Sequence, residues 1–308
     1  MNDLQFDLLE LVEENASIEQ IQKELGLSTK NLFYQLRLLK DKGYNIIRSY
    51  SINGHTRFNL RTEFTTPHHQ RINISESVNE IDFIVSSDNH LGSINQEIKN
   101  AYAMYDYCIN NNRHIIINCG DFFSGVKPNW KNPTMGLFAQ FERGIEDYPY
   151  DKNILNFITL GNHDMAYLKV GLDLESMLLK ERHDLIPLGY SYGSIDVKNE
   201  TISISHKPAR KEKNHKLVLC GHKHNYETTT YPGNTEEVYI QSPSLSTIPI
   251  SGEEAFPGFL DCHLTFKKGY FNTLQVKQLG FKDDKVIICG GSRFSYIDNN
   301  PKQLLKTK

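Results

Sequence analysis

Cysteine is scarce in this chain. Its 308 residues hold Cys108, Cys119, Cys220, Cys262 and Cys289, an odd number with no Cys-x-x-Cys spacing. That argues against a disulfide framework and against a zinc site built on thiolates. Cys119 and Cys220 each precede a glycine at the end of an apolar run, and they read as reduced strand cysteines of a cytoplasmic protein. Long hydrophobic runs are missing too. None approaches the roughly 20 residues that cross a bilayer, so no membrane association is expected. The N-terminus, MNDLQFDLLELVEEN, is acidic and amphipathic, unlike a signal peptide. Charge of one sign is not in large excess. A formal net charge of −3 excludes a globally basic nucleic-acid coat and leaves room for a local basic face.

Local order is legible from the start. Leu4, Phe6, Leu8, Leu9, Leu11 and Val12 recur at helical spacing over residues 3–15. Ser17 can cap a second helix, with Glu19 and Gln20 in its first turn and Gly26 at its end. A third helix is predicted from Thr29 to Lys42, closed by Gly43. NIIRSYSINGHTRFNL then alternates as two strands around the tight-turn pair Asn53-Gly54. Helix, helix, helix, hairpin over residues 1–60 resembles the small bacterial winged helix-turn-helix domains.

Charge is divided inside this segment. Residues 3–24 carry Asp3, Asp7, Glu10, Glu13, Glu14, Glu19 and Glu24 against Lys23. Residues 27–60 carry Lys30, Arg37, Lys40, Lys42, Arg48 and Arg57 against Asp41. The third helix and the hairpin are the basic side, which suits phosphate contact. DNA is therefore an expected partner through Lys30, Arg37, Lys40, Arg48 and Arg57. The competing reading is a winged helix used for protein contact or dimerisation.

Residues 61–80 are polar, without apolar period, and read as a linker or edge connection; His68 and His69 there read as solvated. From residue 81 to 308 the pattern becomes strands alternating with helices, an α/β layered arrangement. IDFIVSSDNHLG, HIIINCGDFFSG, NILNFITLGNHD, TISISHKP and HKLVLCGHKHN are strands followed by polar loops. The tail FPGFLDCHLTFKKGYFNTLQVKQL reads as an added hairpin.

Polar residues follow five of these strands: Asp88 and His90; Gly120-Asp121; Gly161-Asn162-His163-Asp164; His206; and Gly221-His222 with His224. In open α/β sheets the crevice beyond the carboxyl ends of strands is where sites form. Oxygen and imidazole donors suit hard-to-borderline divalent metals, and one carboxylate can bridge two of them. Asp121 fits that bridge, since Gly120 allows close backbone approach. Strand alternation would put Asp88 with His90, and His222 with His224, on one side.

The order Asp-x-His, Gly-Asp, Gly-Asn-His-Asp, His, Gly-His-x-His resembles the calcineurin-like metallophosphoesterase superfamily. The resemblance covers residues 81 to about 250. It implies a four-layer α/β fold, a two-sheet β-sandwich flanked by helices, with a binuclear centre at the strand ends. Asp88, His90, Asp121 and His224 would hold one metal; Asp121, Asn162, His206 and His222 the other. His163 would lie just outside the coordination sphere as catalytic acid, with Asp164 orienting its imidazole. Two divalent ions are implied, manganese first, with iron, zinc, magnesium and nickel as alternatives.

Departures narrow the branch. Ser124 stands where purple acid phosphatases have tyrosine, and GDFFSG with Asp164 lacks the Asp-Arg-Gly and Gly-Asn-His-Glu elements of serine/threonine protein phosphatases. Gly-Asn-His-Asp is shared with DNA-repair nucleases and small phosphodiesterases. The gap from His206 to His222, KPARKEKNHKLVLC, leaves little room for a helix. KPARKEK could be a nucleic-acid loop or a solvated run; Phe122, Phe123 and Trp130 could stack a base or pack the core. The expected activity is phosphodiester hydrolysis, on DNA, by in-line attack of a hydroxide shared between the metals. The alternative is a small-molecule phosphodiesterase or phosphatase whose winged helix serves regulation or assembly, with a protein partner or homo-oligomer left open.

Overall fold

The computed structural model describes residues 3–14, 16–41, 44, 46–60, 69–126, 135–207, 216–231, 237–249, 256–283 and 285–296. Lys42, Gly43, His68, Trp130, His215 and residues 208–213 of the KPARKEK run lie outside them.

Three helices open the chain: α1 (Asp3–Glu13), α2 (Ile18–Leu25) and α3 (Thr29–Asp41). Ser17 Oγ accepts the Gln20 N–H, and the Gln20 side chain accepts the Ser17 N–H, which satisfies two donors a helix start leaves orphaned. Gly26, at φ 62°, ends α2. Leu8, Val12, Ile21, Leu32, Leu36 and Leu39 pack with Ile46 and Phe58 of a hairpin, β1 (Ile46–Ser51) and β2 (Thr56–Leu60).

The hairpin is the end of a larger sheet. β3 (His69–Asn73), β8 (Tyr192–Val197), β9 (Glu200–Ser205), β10 (Leu217–Cys220), β11 (Glu227–Tyr231) and β12 (Glu237–Gln241) join it in the order β11-β12-β10-β9-β8-β3-β1-β2. The second sheet contains β4 (Glu80–Ser86), β5 (Ile115–Asn118), β6 (Leu155–Leu160), β7 (Leu185–Tyr190), β13 (Gly258–Lys267), β14 (Tyr270–Lys282) and β15 (Lys285–Ser295), ordered β15-β14-β13-β4-β5-β6-β7. The helices α4 (Ile98–Asn110), α5 (Leu137–Asp147), α6 (Met165–Lys169) and α7 (Leu174–Glu181) follow its parallel strands. Alternation explains the doubly apolar strands. Phe83, Val85, Ile117 and Phe157 enter the core between the sheets, while Ile84, Ile116 and Ile158 meet Met104, Tyr105 and Leu178 of the helices.

Two expectations are corrected here. Residues 61–80 are not simply a linker, because His69–Asn73 is an interior strand pairing parallel with both β1 and β8. Its single apolar residue, Ile72, faces the core. Its outer face is held by polar bonds, His69 bridging Ser194 (2.6 Å) and Asp196 (2.7 Å), so the sequence shows no apolar period. The expected four layers are three among the described residues: helices, sheet and sheet. Helices α1–α3 do not cover the outside of the sandwich. Ile46, Arg48, Tyr50 and Phe58 share one face of the hairpin by register; Tyr50 meets Phe157 edge-on at 4.9 Å. The three helices thus lie on the inward face of their sheet, beyond β7, the other sheet's edge strand.

Candidate metal centre

The site stands at the carboxyl ends of β4, β5, β6, β9 and β10. β4 ends at Ser86 and β5 at Asn118, so Asp88, His90 and Asp121 belong to loops rather than strands. The alternation argument for Asp-x-His therefore does not apply. Left-handed backbone does the placing instead: Asp88 (φ 53°), His90 (47°), Asp121 (51°), His222 (77°) and His224 (60°) are five of the ten non-glycine residues at positive φ among those described. Such conformations cost about 1–3 kcal/mol each and gather at functional sites. Gly120 sits at φ 106°, and a Cβ there would enter the His206 imidazole; one at Gly161 would strike Asp121. β9 and β10 run parallel, with Ser205 opposite Cys220. That brings His206 and His222 to the same end despite the short gap between them.

The side chains form overlapping groups. Asp88, His90 and His224 offer ligand atoms within 4.8 Å of one another, as do His90, Asp121 and His163, and as do Asp121, His206 and His222. His224 Nε2 lies 3.2 Å from Asp88 Oδ1 and 3.4 Å from His90 Nε2. His206 Nε2 lies 3.1 Å from both Asp121 Oδ2 and Asn162 Oδ1. Seven expected ligands are thus together, and His163 stands beside them, its Nε2 3.8 Å from Asp121 Oδ2.

Hydrogen bonds set the imidazole tautomers. His206 Nδ1 meets the Cys119 carbonyl (2.9 Å), His224 Nδ1 the Ile248 carbonyl (2.8 Å) and His163 Nδ1 the Ser124 carbonyl (2.6 Å). A carbonyl only accepts, so Nδ1 carries a hydrogen in each ring and Nε2 is the atom turned inward, able to ligate a metal when it carries no proton. Asp88 is fixed by Ser87 Oγ and the His222 N–H (2.9 Å). Asp121 Oδ1 accepts the His163 N–H at 2.7 Å, leaving Oδ2 toward the histidines. The donor set, its inward Nε2 atoms and its carboxylates fit two divalent cations.

Electrostatics agree with a cation site. Burial raises the cost of charge at Asp88, but the His224 hydrogen bond and surrounding histidines hold it well below the usual carboxylate range. Burial pushes His90 down to about 3, against Asp121 and Asp88. At His206 burial opposes protonation, yet the bond to Asp121 and the carboxylate charges push it up to about 9, so a cation bound there would displace the Nε2 proton.

Asp164 corrects the expected pairing with His163. Its carboxylate accepts the Gly161 (2.7 Å), Phe122 (3.1 Å) and Phe123 (2.8 Å) backbone N–H groups, stapling the Asp121 and Asn162 loops together. Burial and Asp121 raise its pKa to about 7 against those three donors. The His163 ring is oriented by the Ser124 carbonyl instead. Sequence reasoning missed this carbonyl, that of Ile248, and Ser87. Backbone acceptors leave no residue-type signal, whereas Ser87 adjoins Asp88 and was findable. Phe122 and Phe123 are fully buried beside Tyr148 and Tyr167, so they pack the core rather than stack a substrate.

The basic residues do not form one surface. Lys30, Arg37 and Lys40 are exposed on α3. Partial desolvation, then Arg48, lowers the pKa of Lys40. Arg48 is corrected as a phosphate contact: its guanidinium lies 4.5 Å over the Phe33 ring, between α3 and the sheet. Arg57 is exposed on the other face of the hairpin, opposite Ser49 in register. Phe33 stacks on His183, which precedes β7, at 6.3 Å, and Gly54 packs against Asn153, which precedes β6. The N-terminal unit thus sits at the pole where β6 and β7 begin, and the metal centre where they end.

Residues 81–207 match the family described as Calcineurin-like phosphoesterase. No curated protein matches the chain. Among solved structures, a phosphoesterase from E. coli is 14% identical with a TM-score of 0.43, over 69% of this chain and 98% of its own. The nuclease MPE of Pseudomonas putida is 16% identical, TM-score 0.34, over 61% and 86%. Vps29 of Chaetomium thermophilum is 10% identical, TM-score 0.42, over 70% and 99%. No helix among the described residues is long and apolar enough to cross a membrane.

Proposed function

We propose that this chain, which carries a calcineurin-like phosphoesterase domain over residues 81–207, hydrolyses a phosphodiester at a centre for two divalent metals, manganese first among them. The reading rests on three overlapping groups: His90 links Asp88 and His224 to Asp121, and Asp121 links His90 and His163 to His206 and His222. Asp88, His90, His224 and Asp121 would hold one ion; Asp121, Asn162, His206 and His222 the other. When bound, such ions clamp phosphate oxygens and lower the pKa of water. The protein's own part is positional. Asp121 keeps one oxygen on the His163 N–H and turns the other inward. His163 is held at Nδ1 by the Ser124 carbonyl and turns Nε2 inward; as the imidazolium it would hand the Nε2 proton to the departing oxygen and be left as the neutral Nδ1–H ring.

DNA as the substrate is supported by the exposed Lys30, Arg37 and Lys40 of α3. The pole separation weighs against delivery of that DNA to the same chain's centre. A small diester, with the N-terminal unit serving assembly or regulation, fits the geometry better. The test is parallel turnover of manganese-loaded protein on bis(p-nitrophenyl) phosphate, p-nitrophenyl phosphate, and single- and double-stranded DNA. Diester cleavage well above monoester cleavage is expected. No turnover of any phosphoester would overturn the proposal, and DNA cleavage that falls with Lys30→Glu/Arg37→Glu would restore the DNA reading.

A further inference from the structure

We propose that the outward face of α1 and α3 is a self-complementary surface that joins two copies of this chain about a twofold axis. Gln5 Nε2 donates to Gln35 Oε1 at 3.1 Å, tying α1 to α3 along one seam. One residue on from Gln5 is Phe6; one residue back from Gln35 is Tyr34. Steps of about 100° turn both out of the seam, away from the core residues Leu8, Val12, Leu32 and Leu36. Both aromatics are more than half exposed, Phe6 at 59% and Tyr34 at 54%. Asp7 and Glu10 flank them on α1; Lys30 and Arg37 flank them on α3, all exposed.

A twofold interface uses the same patch on both partners, so it must be complementary to itself. A patch acidic on one helix and basic on the next meets that condition. Acidic α1 of one copy faces basic α3 of the other, and the reverse contact is identical. Phe6 and Tyr34 fall near the axis, where interface cores take aromatic residues. A nucleic-acid occupant fits less well, because the carboxylates of α1 would repel phosphates brought to α3.

Sedimentation of the full chain at low and high salt tests this. Three variants are compared with the parent: Asp7→Lys/Glu10→Lys, Lys30→Glu/Arg37→Glu, and all four changes in one chain. The parent is expected at twice the chain mass, weakening with salt. Each double variant should associate roughly tenfold or more weakly, since like charges then face each other twice. Mixing the two double variants, or combining the four changes, should restore association. A monomeric parent would overturn the proposal, as would a mixture that fails to associate. So would a parent that stays monomeric and instead binds duplex DNA through Lys30 and Arg37.

Discussion

Asp121 is shared by two of the three candidate ligand groups, and its substitution is the sharpest test of the proposed site. Asp121→Ala should lose metal and turnover together. Elemental analysis of the reconstituted parent should approach two equivalents per chain and the variant well below that; full activity in the variant would sink the assignment. His163 sits beside the proposed ligand Asn162 with its Nε2 toward Asp121. His163→Ala should lower turnover about 10²–10⁴-fold, most for poor leaving groups, which depend most on proton donation. Equal losses across leaving groups would mean positioning instead. Asp164→Ala strands three buried N–H groups, and should cost about 2–4 kcal/mol of stability. If thermal melting is unmoved while activity falls, Asp164 acts on His163 after all and not as a staple.

At the scale of elements, the N-terminal hairpin belongs to the sheet. Read from sequence, a truncation at residue 60 spares the phosphoesterase-like domain, but it would strip β1 from β3 and Tyr50 from Phe157. That variant should express poorly, so charge reversal is the sounder probe. The same junction responds to acid. His183 is half-buried under Phe33 and beside Tyr150. Burial lowers its pKa; Asp184 and Glu19 oppose this, while Arg48 and Arg182 add to it. A lowered folded value means the unfolded chain binds the proton more readily. The stability it contributes is therefore present above the ordinary histidine value and is lost as pH falls through the lowered one. Melting temperature should drop between neutral and mildly acidic pH, and His183→Phe should flatten that slope. An unchanged slope would remove His183 as the cause.

Across the whole molecule, positive-φ ligand loops and buried carboxylates converge at one pole, a costly arrangement that bound cations would offset. Chelation should lower the melting temperature, and manganese at about 100 times its Kd should return about 2.7 kcal/mol. Melting that ignores both would mean the cluster binds no metal. At the opposite pole, the helices α1–α3 finish the core where the seven-stranded sheet stops at β7. The two ends are joined by β6, whose first residue follows the loop under Gly54 and whose last precedes Gly161.

What the sequence determined by itself was a candidate donor set. Metal binding asks for particular residue types, so Asp88, His90, Asp121, Asn162, His206, His222 and His224 were legible as candidates that the fold then brings together, as were the capped α2 and the Asn53-Gly54 turn. Only tertiary structure decided what depends on neighbours distant in the chain. β3 escaped notice because an interior strand with a polar outer face, His69 on Ser194 and Asp196, lacks an apolar period. The partner of His163 was a carbonyl, which every residue has. Arg48 reads as a phosphate contact until Phe33 is seen beneath it. The separation of α3 from the metal centre was hidden for the same reason: strand direction and register, not composition, fix which pole an element occupies.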